Sequence, residues 1–344
     1  MKALVALLPA AALLSACGGG SGGSSAGQIK IVGSSTVYPF TKAVAEEFQR
    51  ANSGTSVIVE STGTGSGMKL FCAGVGGEFP DIVNASRQMK KSEHEACQAA
   101  GVTNVIELPI GIDGLTLISA KDAPALNLTV ADVYKALAAD PFGEGPNKAQ
   151  TWKDVNPALP AIKIRVLGPP PTSGTRDSLS ELIMEKGCDS NPAMKALKAS
   201  DSDKHKDICT KIREDKLFDE AGENDNLLVQ KVAADPGTLG VLGYSFLEEN
   251  ADKVKPVSIA GVAPTGETIS GLSYPGARKL YIYVKGQHVQ AKPKIRDFIA
   301  AYAKAWGKGG PLERHGLVPL AAEDAAGATR QASELKPLDA ASLK

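Results

Sequence analysis

Histidine and aromatic residues are scarce in this chain: four histidines, with aromatics at 5 % of 344 residues. Few histidines means few of the usual general bases and metal ligands, and His94, His205, His288 and His315 stand in polar stretches that read as exposed. No GxSxG elbow follows a strand, so a serine hydrolase would lack its nucleophile. No CxxC pair is present, which argues against a zinc or redox centre. The dense turn "GTGSG" has neither the lysine spacing of a Walker loop nor the last glycine of a dinucleotide fingerprint. Net charge is also missing, because 38 basic and 38 acidic residues cancel, and without a basic field nucleic acid is not expected as a partner. The chain is expected to be no enzyme and to carry neither cofactor nor metal.

Long apolar runs are absent too, with one exception. "MKALVALLPAAALLSAC", residues 1–17, has one lysine, an apolar run interrupted by Pro9, and small residues at its end. That is the anatomy of an export signal, too short and too broken for a spanning helix. Leu14-Ser15-Ala16-Cys17 reads as a bacterial lipobox, with Cys17 as the lipidation site. Residues 18–27, "GGGSGGSSAG", form a flexible tether whose reach is only about 17–19 Å. The body is thus expected in the periplasm or at the cell surface, held to a bacterial membrane by lipid. Four cysteines remain beyond Cys17, an even number in an oxidising compartment, which suggests disulfides. Three pairings are possible; the nearest-neighbour one joins Cys72 to Cys97 and Cys188 to Cys209, each loop contributing about 3 kcal/mol.

What is present is an alternation of strand and helix patterns, which implies α/β architecture with mostly parallel sheet. "IKIVG" (29–33), "SVIVESTG" and "DIVNASR" read as strands, and "VYPFTKAVAEEFQRAN" as an amphipathic helix with Phe40, Val44 and Phe48 on its buried side. "VIELPIGIDGLTLISA" reads as two apolar runs broken at Asp113-Gly114. The charged run from Asp201 to Asp215 reads as a solvated helix face, residues 237–247 as a strand bracketed by glycines, "KLYIYV" as a strand, and the tail from about Ala321 as loosely specified. The mature chain is long enough for two domains of roughly 150 residues each.

Three strand-to-helix junctions carry one chemistry. "GSSTVYP" offers Ser34, Ser35 and Thr36, "GTGSGMK" offers Thr64 and Ser66, and "TSGTRD" offers Ser173, Gly174, Thr175 and Arg176. Each places hydroxyls and glycine where a helix leaves its first N–H groups unpaired, a ready anion site. An ordinary N-cap is the competing reading of any one of them. Three together, with Arg87 at a strand end, suit a buried oxyanion held without metal, since burying a dianion is costly unless its oxygens are bonded. Arg87 and Arg176 are the expected balancing cations. Asp113 reads either as a turn residue or as the acceptor for a proton on the anion. Lys69 reads as solvated.

"GSSTVYPF", "GTGSGMKLFCAG", "DIVNASRQM", "TSGTRD", "GYSFLEEN" and "YPGARKLYIYV" together resemble the phosphate-binding protein of the bacterial phosphate ABC transporter, over roughly residues 28 to 318. The resemblance implies a type II periplasmic-binding-protein fold, two α/β domains joined by crossing hinge strands near residues 110–118 and 272–284. One domain would hold 28–112 and 280–344, the other 113–279. It implies capture of inorganic phosphate in the interdomain cleft and delivery, as a monomer, to membrane permease subunits. By the family's pattern Ser35, Thr36, the backbone of Val37, Thr64 (or Ser66), Ser173, Gly174 and Thr175 would bind the anion. Two departures stand out. Arg87 lies where some members carry aspartate, and Pro169 where they carry arginine, so Asp113 becomes the expected proton acceptor and sulfate or molybdate the alternative ligand. A structural or adhesion role at the cell surface is the remaining alternative.

Overall fold

The computed structural model describes residues 28–222 and 224–343; residues 1–27, with the signal, Cys17 and the tether, lie outside them. β1 (Gln28–Gly33), β2 (Ser56–Ser61) and β3 (Ile82–Ala85) form a parallel trio, with β3 buried along its whole length. Its crossovers are α1 (Tyr38–Ala51) and α2 (Thr64–Phe71). Pro39 lies in the first turn of α1, where a missing N–H costs nothing, and Phe40, Val44 and Phe48 recur every four residues to meet the core.

The long strand β4 (Val105–Ala120) organises the rest. Its first part pairs antiparallel with β10 (Ala277–Lys285), its second with β8 (Leu239–Gly243) and β9 (Val254–Ile259). With β5 (Asn127–Leu128), β6 (Val166–Gly168) and β7 (Phe218–Glu220), the sheet order is β2-β1-β3-β10-β4-β8-β6-β7, and β5 joins on through β9. Asp113-Gly114 does not break β4; the chain runs through, and Asp113 faces Arg278 across the ladder. The β4–β10 register slips at Leu280/Tyr281, beside Pro109, which cannot donate to a ladder.

Both cysteine pairs are nearest neighbours. Cys72–Cys97 ties the end of α2 to α3 (Lys91–Ala99), and Cys188–Cys209 closes the second loop. Cys188 ends a helical run, α4, made of Gly174–Ser178, a π-helical turn Leu179–Met184, and Glu185–Cys188. No helix among the described residues is long and apolar enough to cross a membrane.

Four local expectations need correction. The charged run is not wholly solvated: His205 and Arg213 are 1 % and 4 % exposed. Arg213 donates to the carbonyls of Ala136 and Ala149 at 3.0 and 2.9 Å, replacing the hydration its charge loses. His205 bonds Asp189 at 2.8 Å. His288 is buried as well, donating from Nδ1 to Asp81 while Gly76 N–H donates to its Nε2. Residues 237–247 hold β8 and then a helix, Tyr244–Glu249. The tail forms the helix Ala322–Glu334, which buries Ala328 and Ala332; beyond it Leu338 N–H bonds the Val105 carbonyl at 2.8 Å.

Candidate anion site

Close backbone approach builds the first turn. Gly33 has φ +126°, and a Cβ there would fall 2.2 Å from the Asn84 carbonyl oxygen, so only glycine fits. Ser34 N–H then bonds that same oxygen at 2.9 Å, and the chain swings into α1 carrying Ser35 and Thr36. A Cβ on Gly67 would lie 2.5 Å from Gly33 Cα, which presses the start of α2 against the end of β1. Thr64, at the start of α2, meets the turn after β3: its hydroxyl accepts from Ser86 N–H at 3.1 Å and shares a 2.9 Å bond with Ser86 Oγ.

From the other half of the sheet comes the start of α4. Ser173 is its N-cap, with Oγ accepting from Thr175 N–H at 3.2 Å. The cap is therefore real, and it lies directly against the first turn. Thr36 Oγ1 donates to the Gly174 carbonyl at 3.3 Å, and Ser35 Oγ donates to Asp177. A Cβ on Gly174 would come within 2.9 Å of Thr36 Cα and 3.0 Å of the Ser35 carbonyl oxygen.

Residues 19–305 match the model of a PBP superfamily domain. The chain belongs to that superfamily. It is 36 % identical to protein SphX of Synechococcus elongatus, over 87 % of this chain and 79 % of that protein. It is 31 % identical to the phosphate-binding protein PstS of Staphylococcus saprophyticus, over 92 % and 88 %. The crystal structure of a possible phosphate binding protein from Planctomyces limnophilus superposes with a TM-score of 0.73 at 30 % identity, covering 90 % of this chain and 98 % of that one. A phosphate transport receptor from Vibrio cholerae, at 20 % identity and TM-score 0.58, shares the fold.

In this PstS-like chain the expected site residues divide between two clefts. One, of about 320 Å³, is lined by Ser35, Thr36, Asp113, Ser173, Gly174 and Thr175. The other, of about 780 Å³, is lined by Thr64, Ser86 and Arg87, with Glu181. Val37 is fully buried and its N–H is bonded to Ser34 Oγ at 3.3 Å. Ser66 is exposed and lines neither cleft. Arg176 lines neither cleft as well: it donates to the Pro169 carbonyl at 2.9 Å and lies 4.9 Å over the Phe218 ring. Burial pulls its pKa down, against the attraction of Glu220. Arg87 is held by both oxygens of Glu93, at 2.7 and 2.9 Å. Burial disfavours its charge, but those bonds overcome that and keep its pKa above the ordinary value.

The cation at the centre is one the sequence reading did not single out. Arg278, on β10, lines the larger cleft and bonds residues that line the smaller one. Its Nε donates to Asp113 at 3.1 Å, its Nη2 to Thr36 Oγ1 at 3.0 Å and to Ser178 Oγ at 2.8 Å, and its Nη1 to Glu181. Ser178 Oγ in turn donates to Asp113 Oδ2 at 2.6 Å. One guanidinium thus joins the first turn, both crossing strands and α4. The sequence does carry a signal for it: an arginine just ahead of a strand placed at the domain crossing. Cys188, His205 and Cys209 also cluster, but the disulfide occupies both sulfurs.

Proposed function

We propose that this chain captures inorganic phosphate between its two halves and hands it to the permease subunits of an ABC transporter. The observation that supports this best is that Arg278 bonds Thr36 of the cleft lined by Ser173, Gly174 and Thr175, and itself lines the other cleft beside Thr64 and Ser86. A desolvated dianion needs that mix of charge-assisted and neutral donors. The PstS relatives, phosphate-binding proteins, point the same way. The moving parts are residues 28–112 with 280–344 and residues 113–279, connected where β4 and β10 cross, and closure is the population shift that the ligand drives. Arg278 supplies the central positive charge, with Arg87 at the rim of the larger cleft. Asp113 accepts a hydrogen bond from the proton of hydrogen phosphate: its Oδ2 already accepts two bonds, yet a carboxylate has acceptor capacity beyond that. Sulfate has no proton to give, so it would face that carboxylate unpaired.

The protein works as a monomeric binding protein rather than an enzyme, anchored through lipid on Cys17 and a short tether at the periplasmic or outer face of a membrane. Thermal melting with and without ligand tests the binding reading. Phosphate at millimolar concentration raises Tm and equal sulfate does not; a sulfate shift equal to that of phosphate would make the site a general oxyanion trap and remove the role of Asp113.

A further inference from the structure

Donors that would serve the anion also hold carboxylates of the protein itself. Asp177 and Glu181 stand four residues apart in α4, and the second sits in its π-helical turn, a distortion often found at functional sites. Ser35 Oγ donates to Asp177. Ser86 Oγ donates to Glu181 Oε2 at 3.2 Å, and Arg278 Nη1 bonds the same oxygen. The burial of the last pair is lopsided: the arginine side chain is 10 % exposed and the glutamate 43 %. Glu181 therefore reaches in from the larger cleft onto a buried cation, and it can leave the way it entered.

We propose that Glu181 is a resident competitor for the anion site, a carboxylate that sits on Ser86 and Arg278 until an oxyanion displaces it into the cleft. The proposal rests on the anion-binding reading above. A serine hydroxyl donates one hydrogen bond, so Ser86 cannot serve Glu181 and a bound oxyanion together. Arg278 has given Nε to Asp113 and Nη2 to Thr36 and Ser178, which leaves Nη1 as the edge that Glu181 and the anion must share. Competition of this kind lowers the apparent affinity by the fraction of time the seat is taken. It also filters ligands: an anion with one charge regains little more than the seated carboxylate gave up, whereas a dianion gains more.

The test is calorimetric titration of the full chain with inorganic phosphate, in wild type, Glu181→Ala and Glu181→Asp. Alanine empties the seat; aspartate keeps the charge but is one methylene too short to hold both partners. Both variants bind phosphate tighter than wild type, by about threefold or more. A merely structural glutamate would leave affinity unchanged or weaken it, and either result overturns the proposal. Tightening in the alanine variant alone would show long-range repulsion rather than a seat, and would overturn it as well. Wild type failing to bind phosphate would sink the anion reading itself, and the competitor with it.

Discussion

Replacing Arg278 by alanine separates a functional cation from a structural one. The guanidinium bonds two carboxylates and two hydroxyls with its side chain 10 % exposed. Truncation leaves Asp113, 17 % exposed, with Ser178 as its remaining described donor. Breaking a buried pair from one side costs about 3–5 kcal/mol. Glu181 is 43 % exposed and can turn to water, which discounts that figure to about 2–3 kcal/mol. For a chain of 344 residues Tm should then fall by roughly 3–4 °C, leaving a folded protein to titrate. Binding loses more, since bonds to a charged partner contribute about 1.5–3 kcal/mol each. Two of them lost weaken phosphate binding by at least about a hundredfold. Arg278→Lys keeps the charge but not the fork, so it recovers only part of the affinity. Calorimetry on both variants provides the numbers. A folded Arg278→Ala protein that binds phosphate within threefold of wild type would refute the reasoning, reducing the residue to a cross-strand pair worth about 0.2–1 kcal/mol.

Three further outcomes follow from the structure. Gly174→Ala pushes a methyl onto Thr36 Cα and the Ser35 carbonyl; overpacking of about 1–3 kcal/mol should lower the melting temperature and cut affinity by up to roughly 5- to 150-fold, and normal values of both would mean the turns need not touch. Lys285 is wholly buried, donates to the Gly74 carbonyl at 2.6 Å and lies over Phe71 and Phe79; burial draws its pKa down to about 8. The unfolded chain holds that proton up to about pH 10.4, so between about pH 8 and 10 this group makes stability rise with pH, by up to about 1.4 kcal/mol per unit. Denaturant melts at pH 8, 9 and 10 should show the rise in wild type and lose it in Lys285→Met. Above pH 10 the buried tyrosines act oppositely, because burial raises the pKa of Tyr283 and Tyr302 and folding then opposes their ionisation. Removing the second disulfide as Cys188→Ser with Cys209→Ser opens a loop of 21 residues and should cost about 3 kcal/mol, read from denaturant melts of both forms.

Much of this molecule is legible in its residues because local rules and global fold agree there. Gly33, the hydroxyl pair after it and Pro39 announce a strand, a tight turn and a helix start, and the structure joins them in that order. Ser173 reads as a cap or as an anion donor, and its position against Thr36 shows why the choice was open: the cap places Gly174 and Thr175 at the cleft. Other features depend on contacts far apart in sequence. Arg278 stands just ahead of the KLYIYV pattern, and its partners come from distant positions 36, 113, 178 and 181. Arg87 and Arg176 lie beside the right motifs, but Glu93 and the Phe218 ring, neither flagged by those motifs, determine where their charges go. His205 and Arg213 look solvated because their neighbours in sequence are charged, while one side of that helix and the turn after it face a core that only tertiary structure supplies. Asp113 reads as a turn residue because glycine follows it, yet the pairing with β10 carries the strand straight through.

Calorimetric titration of the ligand-stripped full chain with phosphate, then sulfate, then molybdate at neutral pH tests the central claim most directly. One-to-one phosphate binding, abolished or greatly weakened in Arg278→Ala and with sulfate silent, is the result expected. Silence from all three anions would contradict it, leaving the glycine and hydroxyl turns as helix caps and Arg278 as a strut between strands.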